Sequence, residues 1–236
     1  MRIILLLATT MIAINIAAQN RNLQPEYSLK DKNIKGKIAL IKETQYRVVN
    51  NDTVVFKTTD YYYDAKGMLT KTDDSQLSTT EYWYDTLGRI TETKGFSNEK
   101  YTYVQNGPVT INRIKSNYRC QQEDCYYKYE YNPAKQLIAY HIFQDKGAPK
   151  EEHLYTYNAK GKVATIKTLY ENIALEYNAN GDVIKEISSS LKSDEITNTT
   201  TYEYRYDATK NWVSRIQFNQ FAGSTKQACC VIKREF

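Results

Sequence analysis

Histidine is nearly absent: His141 and His153 are the only two in 236 residues. A general base needs an oriented partner within hydrogen-bond reach. Asp145, Glu151 and Glu152 stand nearby in sequence, but no known motif joins them to either histidine. The acidic pairs Asp73-Asp74 and Glu123-Asp124 fall in expected loops. They read as solvated turns, not as the paired carboxylates of glycoside hydrolysis. No glycine-rich phosphate cradle occurs. The four cysteines are Cys120, Cys125, Cys229 and Cys230, a spacing that fits no usual zinc pattern. A block of one charge is missing too: 32 Lys and Arg are interspersed with 27 Asp and Glu. Such a mixed, solvated surface argues against nucleic-acid binding. The sequence therefore offers no catalytic residue, metal site or cofactor to assign, and the chain is expected not to be an enzyme.

The one long apolar run is Ile3 to Ile14, after Met1-Arg2 and before small residues ending at Ala17-Ala18. That is the three-part pattern of a secretory signal peptide, too short to span a bilayer comfortably. Residues 1–18 are expected to be the signal peptide, 19–33 a polar, flexible leader, and 34–236 a single domain. Export to the periplasm, the cell surface or the extracellular space follows from that reading. Cysteines in an exported chain suggest disulfides. Cys120 and Cys125 flank four residues, a suitable hairpin loop, and are a candidate pair. Cys229 and Cys230 are neighbours whose side chains would point to opposite faces of a strand, so a bridge between them would strain the backbone. A link from one of them to Cys120 or Cys125 remains an alternative.

Tyrosine is what the sequence has in excess, with 22 residues. Seven segments align on one, at Tyr63, Tyr84, Tyr103, Tyr131, Tyr157, Tyr177 and Tyr206. Asp or Asn follows the anchor in six of the seven, a side chain able to accept bonds from the turn backbone ahead of it. Gly67, Gly88, Gly107, Gly161 and Gly181 stand four residues after their anchors, where a three-residue hairpin loop needs a left-handed backbone. Lys135 and Lys210 take that place in the other two and are expected to adopt the same conformation at some cost. The sixth residue after every anchor is apolar, from Leu69 to Trp212, and is expected to face the anchor. The residue two before it is Tyr, or Leu175 in one case, and shares the face. These positions agree on one register of antiparallel hairpins with one apolar face.

Tyr63-Asp64…Gly67 and Tyr84-Asp85-Thr86-Leu87-Gly88-Arg89-Ile90 resemble the YD repeat of Rhs proteins, teneurins and related bacterial surface proteins, over residues 60–213. The chain is also similar to short exported YD-like proteins of Bacteroidetes-type bacteria. In large Rhs proteins such repeats form a hollow β-shell around a toxin domain. This chain is too short for such a shell and shows no separate C-terminal toxin domain. The resemblance also implies, more weakly, carbohydrate binding.

The expected fold is all-β: an antiparallel meander of about seven YD-type hairpins, fourteen to sixteen strands, forming a curled or folded-over sheet that covers its tyrosine face. An open sheet would leave two edges and favour pairing into a dimer. Ser188 to Thr200 reads as a long hairpin tip or exposed loop. Trp212 is expected in the core. Tyr62 and Trp83 occupy equivalent slots on the polar face and are candidates for stacking on sugar rings. The expected function is an exported, non-enzymatic binding or interaction module with a protein or polysaccharide partner. The alternatives are a carbohydrate-binding protein using an aromatic face, an outer-membrane β-barrel, and an enzyme. The barrel is disfavoured by tyrosine hydroxyls along the apolar face and by Arg234, which alternation from Phe236 places outward.

Overall fold

The structure, a computed structural model, describes residues 29–30, 32–50, 52–95, 98–106, 109–116, 125–134, 136–144 and 151–236. The expected signal peptide, most of the leader, Gly107 and Cys120 lie outside these residues. The strands are β1 (Leu40–Val49), β2 (Asp52–Tyr63), β3 (Leu69–Asp74), β4 (Ser78–Tyr84), β5 (Ile90–Lys94), β6 (Glu99–Asn106), β7 (Val109–Ser116) and β8 (Cys125–Tyr131). They continue with β9 (Leu137–Gln144), β10 (Glu151–Tyr157), β11 (Val163–Lys167), β12 (Glu171–Tyr177), β13 (Val183–Ser190), β14 (Ile196–Tyr206), β15 (Trp212–Phe221) and β16 (Gln227–Glu235). Each strand pairs antiparallel with the next, and β1 pairs with β16 from Lys42↔Glu235 to Arg47↔Cys230. The meander thus curls until it closes into a sixteen-stranded barrel. Closure removes both edges, and with them the expected route to a dimer.

Local chemistry sets the register. Asp64 Oδ1 accepts from the N–H groups of Lys66 and Met68, at 2.8 and 2.9 Å. The Asp64 N–H donates to Met68 O and the Gly67 N–H to Asp64 O. The same backbone pair of bonds closes the turns that begin at Asp85, Asn158, Asn178 and Asp207. Gly67, Gly88, Gly161 and Gly181 have φ between 73 and 88°, and Lys210 adopts φ 65° in the same slot. Each turn ends in a bulge that pairs anchor with apolar slot: Tyr63↔Leu69, Tyr84↔Ile90, Tyr131↔Leu137, Tyr157↔Val163, Tyr177↔Val183 and Tyr206↔Trp212.

The third hairpin departs from the expected register. Asn106 pairs with Val109, and Tyr103 pairs with Asn112 instead of Val109. Val104 stands where the others carry Asp or Asn, so there is no side-chain acceptor. Pro108 stands where the others donate an N–H, and proline has none.

Anchor hydroxyls join one hairpin to the one before it. Tyr84 Oη donates to Leu69 O and Tyr157 Oη to Leu137 O, both at 2.6 Å, and Tyr177 Oη donates to Val163 O at 2.8 Å. The acceptor each time is the carbonyl of the preceding repeat's apolar slot. In the last repeat the bond is made by Tyr204, whose hydroxyl reaches Val183 O at 2.7 Å. This is a reason for tyrosine over phenylalanine at these positions.

The tyrosine–aliphatic face turns inward. Ile41, Tyr63, Leu69, Ile166, Ile173 and Trp212 are buried there. The outer face carries ion pairs such as Lys71–Asp73, Lys128–Glu130 and Lys185–Glu176, at 2.8, 2.6 and 3.2 Å. Arg234 corrects the outward placement drawn from Phe236. It points inward, buried, with its Nε 3.0 Å from Glu43 Oε2 across the closing ladder.

The expected flexible leader and the expected hairpin tip at Ser188 to Thr200 both differ in the structure. In the leader, Leu29 is buried and its N–H donates to Gly67 O at 2.9 Å. Asn33 Nδ2 reaches Asn180 O and Asp182 Oδ1, both at 3.0 Å. The Lys35 N–H donates to Asn211 Oδ1 at 2.7 Å. This segment therefore straps three turns at one end of the barrel, so the packed unit begins before residue 34. Second, Ser188 to Thr200 is strand at both ends, in β13 and β14, and only the exposed turn between them is a hairpin tip. Ser188 and Thr200 are buried on the inner face, and Thr200 Oγ1 lies 3.3 Å from Asn219 Oδ1.

A candidate ligand wall inside the barrel

Four adjacent strands, β14, β15, β16 and β1, present a continuous inner wall. Its rows follow the ladders: Tyr206↔Trp212, Tyr204↔Arg215↔Ile232, Tyr202↔Gln217↔Cys230 and Thr200↔Asn219. Tyr202, Tyr204 and Tyr206 form a staircase of rings with centroids 6.4 and 5.9 Å apart, and Tyr204 meets Trp212 edge-on at 6.0 Å. Arg215 Cζ stands 5.1 Å from the Tyr202 ring centre and 5.3 Å from that of Trp212. Arg234 Cζ lies 3.4 Å from the Trp212 centre. Such stacking suits guanidinium, which is planar and weakly hydrated.

The electrostatics of the wall are uneven. Burial, the largest single influence, would raise the Glu43 carboxyl, but Arg234, Lys32, the Gln45 amide and Arg215 together outweigh it and hold the group at about 2. Arg215 also feels the Glu43 carboxylate, which is paired with Arg234. Among the described residues, Arg215 Nε and Arg234 Nη1 have no hydrogen-bond partner. Burial pushes the Tyr204 hydroxyl up to about 12 despite the opposing pull of Arg215. Tyr202, which donates to Glu186 Oε1 at 2.8 Å, is shifted upward mainly by burial. Tyr202, Tyr204, Tyr206 and Arg215 all keep part of their surface exposed although they face into a closed sheet. The wall therefore borders solvent-accessible space inside the barrel.

A second aromatic patch lies on β8, β9 and β10. Tyr127 stacks on Tyr140 at 5.5 Å and 13°, and Tyr129 and His153 meet Tyr140 at 5.2 and 5.6 Å. At the strapped end, a cavity of about 810 Å³ opens between Leu29, Ile34, Ile38 and the β2–β3 turn.

The residues singled out from sequence are dispersed. His141 and Glu152 are register partners with Nδ1 and Oε1 3.6 Å apart, whereas His153 pairs with Tyr140 and faces inward. The two histidines thus stand on opposite faces of the sheet. Asp73 and Asp74 also separate: Asp73 pairs with Lys71 outside, and Asp74 pairs with Lys57 inside. Tyr62 and Trp83 both face outward but do not form one platform. Strand β3 lies between them, with Lys71 Nζ 4.9 Å from the Tyr62 ring centre and Lys94 Nζ 4.7 Å from that of Trp83. The candidate Cys120–Cys125 bridge lies outside the described side chains. Cys229 and Cys230 have their Sγ atoms 3.1 Å apart.

Arg215 and Glu186 were not expected on the inner face, because a phase shift follows the anchor turn in six of the seven hairpins. The bulge moves the inner face to the ninth residue after the anchor: Thr72, Thr93, Tyr140, Ile166, Glu186 and Arg215. Strict alternation from the apolar slot would have chosen Lys71, Glu92, Ala139, Thr165, Lys185 and Ser214.

No family model matches the chain, and no curated protein matches it. Among solved structures, it is similar to a porin-like protein from Bacteroides uniformis ATCC 8492, with TM-score 0.58 and 15% identity over 85% of this chain and 98% of that one. It also aligns with a chain in the TcdB2–TccC3 structure, at TM-score 0.36 and 15% identity, over 79% of this chain and 11% of that one. A chain of the Photorhabdus luminescens Tc holotoxin pore aligns at TM-score 0.33 and 15% identity, over 80% and 11%. At these identities the porin-like protein bears on the fold alone.

Proposed function

We propose that this chain is an exported, non-enzymatic binding module of the YD-repeat kind, which takes its ligand on the inner wall of β14, β15, β16 and β1. The observation that carries this reading is the combination of part-exposed Tyr202, Tyr204 and Tyr206 with the Arg215 guanidinium inside a closed ring. The outer pair Tyr62 and Trp83 is the weaker sugar platform, since a lysine sits over each ring. Native-gel retardation of the purified chain by a panel of polysaccharides tests the reading. With a retarding glycan, a fluorescence change in Trp83→Phe, which keeps only Trp212, supports the inner wall. A change confined to Trp212→Phe, which keeps only Trp83, moves the site to the outer pair and the carbohydrate-binding alternative. No retardation by any glycan turns the search to a protein partner.

The porin-like neighbour favours a second reading, an outer-membrane barrel. Against it stand the charges of the outer face, since a Lys or Arg facing lipid near the midplane costs roughly 2–4 kcal/mol. Lys71, Lys128 and Lys185 sit on three different outer strands. Stable monomers in detergent-free buffer would support the water-facing reading. Folding only in detergent, with heat-modifiable migration, would support the membrane barrel.

A further inference from the structure

Cys229 and Cys230 occupy the bulge of β16: Gln217 pairs with Cys230 and Phe218 with Ala228, so Cys229 is the extra residue. In a regular strand neighbouring side chains stand on opposite faces. The bulge cancels that alternation and brings the two Sγ atoms to 3.1 Å. Cys230 is 3% exposed and Cys229 is half-buried, so one thiol is sheltered and the other can be reached.

We propose that Cys229 and Cys230 are a redox modification site, a dithiol that closes to a vicinal disulfide by exchange with a low-molecular-weight disulfide. The Cys229 thiolate attacks one sulfur of the small disulfide, forming a mixed disulfide and releasing one thiolate. The Cys230 thiolate then attacks Cys229 Sγ, forming the internal bond and releasing the second thiolate. The protein dithiol is oxidised by two electrons and the small disulfide is reduced to two thiols. Neighbouring Cα atoms are about 3.8 Å apart, below the roughly 4.4–6.8 Å of ordinary disulfides, so the ring is strained. Strained disulfides are the readily reduced ones, which makes the closure reversible. Cys230 adjoins Gln217, with Sγ 3.5 Å from Oε1, so the two redox states differ on the inner wall itself.

The test is treatment of the purified chain with oxidised glutathione, then alkylation, trypsin digestion without reductant, and mass spectrometry. Cleavage after Lys226 and Lys233 isolates residues 227–233, which contain Cys229 and Cys230 but neither Cys120 nor Cys125. The expected product is this peptide, two hydrogens lighter, without alkylation or adduct, and restored by dithiothreitol. A cross-link to a Cys120 or Cys125 peptide, a lasting glutathione adduct, or two alkylated thiols overturns the proposal. Cys230→Ser is expected to retain glutathione on Cys229, and a variant without adduct overturns Cys229 as the attacking thiol.

Discussion

Replacing Tyr84 by Phe removes one hydroxyl and leaves the ring. That hydroxyl donates to Leu69 O at 2.6 Å, joining two consecutive hairpins. A net intramolecular hydrogen bond is worth about 0.5–1.5 kcal/mol, and a buried carbonyl left without its donor adds to the loss. Tyr84→Phe is therefore expected to cost about 1 kcal/mol, or about 2–4 °C in Tm for a chain of this size. Tyr177→Phe, which loses the bond to Val163 O, is expected to cost the same. The two ties lie in separate hairpins, so the double variant is expected to cost their sum within about 0.5 kcal/mol. Tyr170, 79% exposed, is the control, and its change to Phe is expected to stay within about 0.5 kcal/mol. Urea unfolding followed by circular dichroism reads all four variants. If Tyr84→Phe and Tyr177→Phe cost no more than Tyr170→Phe, the hydroxyl ties do not hold the repeats together.

Lys210 holds a left-handed backbone at φ 65°, a conformation that costs a residue with a side chain about 1–2 kcal/mol. Lys210→Gly is expected to raise stability by up to about 1 kcal/mol in the same urea assay, after the extra unfolded-state entropy of glycine. Gly95 has φ 140°, and a Cβ there would stand 2.0 Å from Thr79 O, whereas at Gly88 nothing lies nearer than Met68 Cε at 4.0 Å. Gly95→Ala is thus expected to destabilise more than Gly88→Ala, measured by Tm. Glu43 has its folded pKa lowered from 4.5 to about 2, so its contribution is present above pH 4.5 and is lost as pH falls toward 2. At 1.36 kcal/mol per unit that contribution is on the order of 3 kcal/mol. Glu43→Gln is expected to abolish that acid step in unfolding free energy while lowering stability at neutral pH, because Arg234 loses its buried partner.

The hairpins were legible because their determinants are local. Asp64 reaches N–H groups two and four residues ahead, so a short stretch of sequence contains the whole turn. The same reasoning marks the third hairpin as the exception, through Val104 and Pro108. Closure was not legible, since Glu43 and Arg234 are 191 residues apart and the ladder they join has no turn to announce it. Leu29 looked like part of a polar leader because its partner, Gly67, is remote in sequence. The inner wall was hidden by the bulge that follows the anchor turn in six of the seven hairpins, which exchanges the faces of the strand residues after it and carries Arg215 inside. Cys229 and Cys230 looked too strained to meet for a related reason: the bulge on β16 depends on its pairing with β15.

Closure between β1 and β16 is tested most directly by hydrogen exchange, comparing peptides that cover residues 40–49 and 227–235 with those from β12 and β13. In a closed barrel the β1 and β16 amides are bonded on both sides, so their exchange is expected to be as slow as that of the β12 and β13 amides. Rapid exchange of every second amide in β1 and β16, with β12 and β13 still protected, would mean an open sheet with two bare edges and would contradict the barrel.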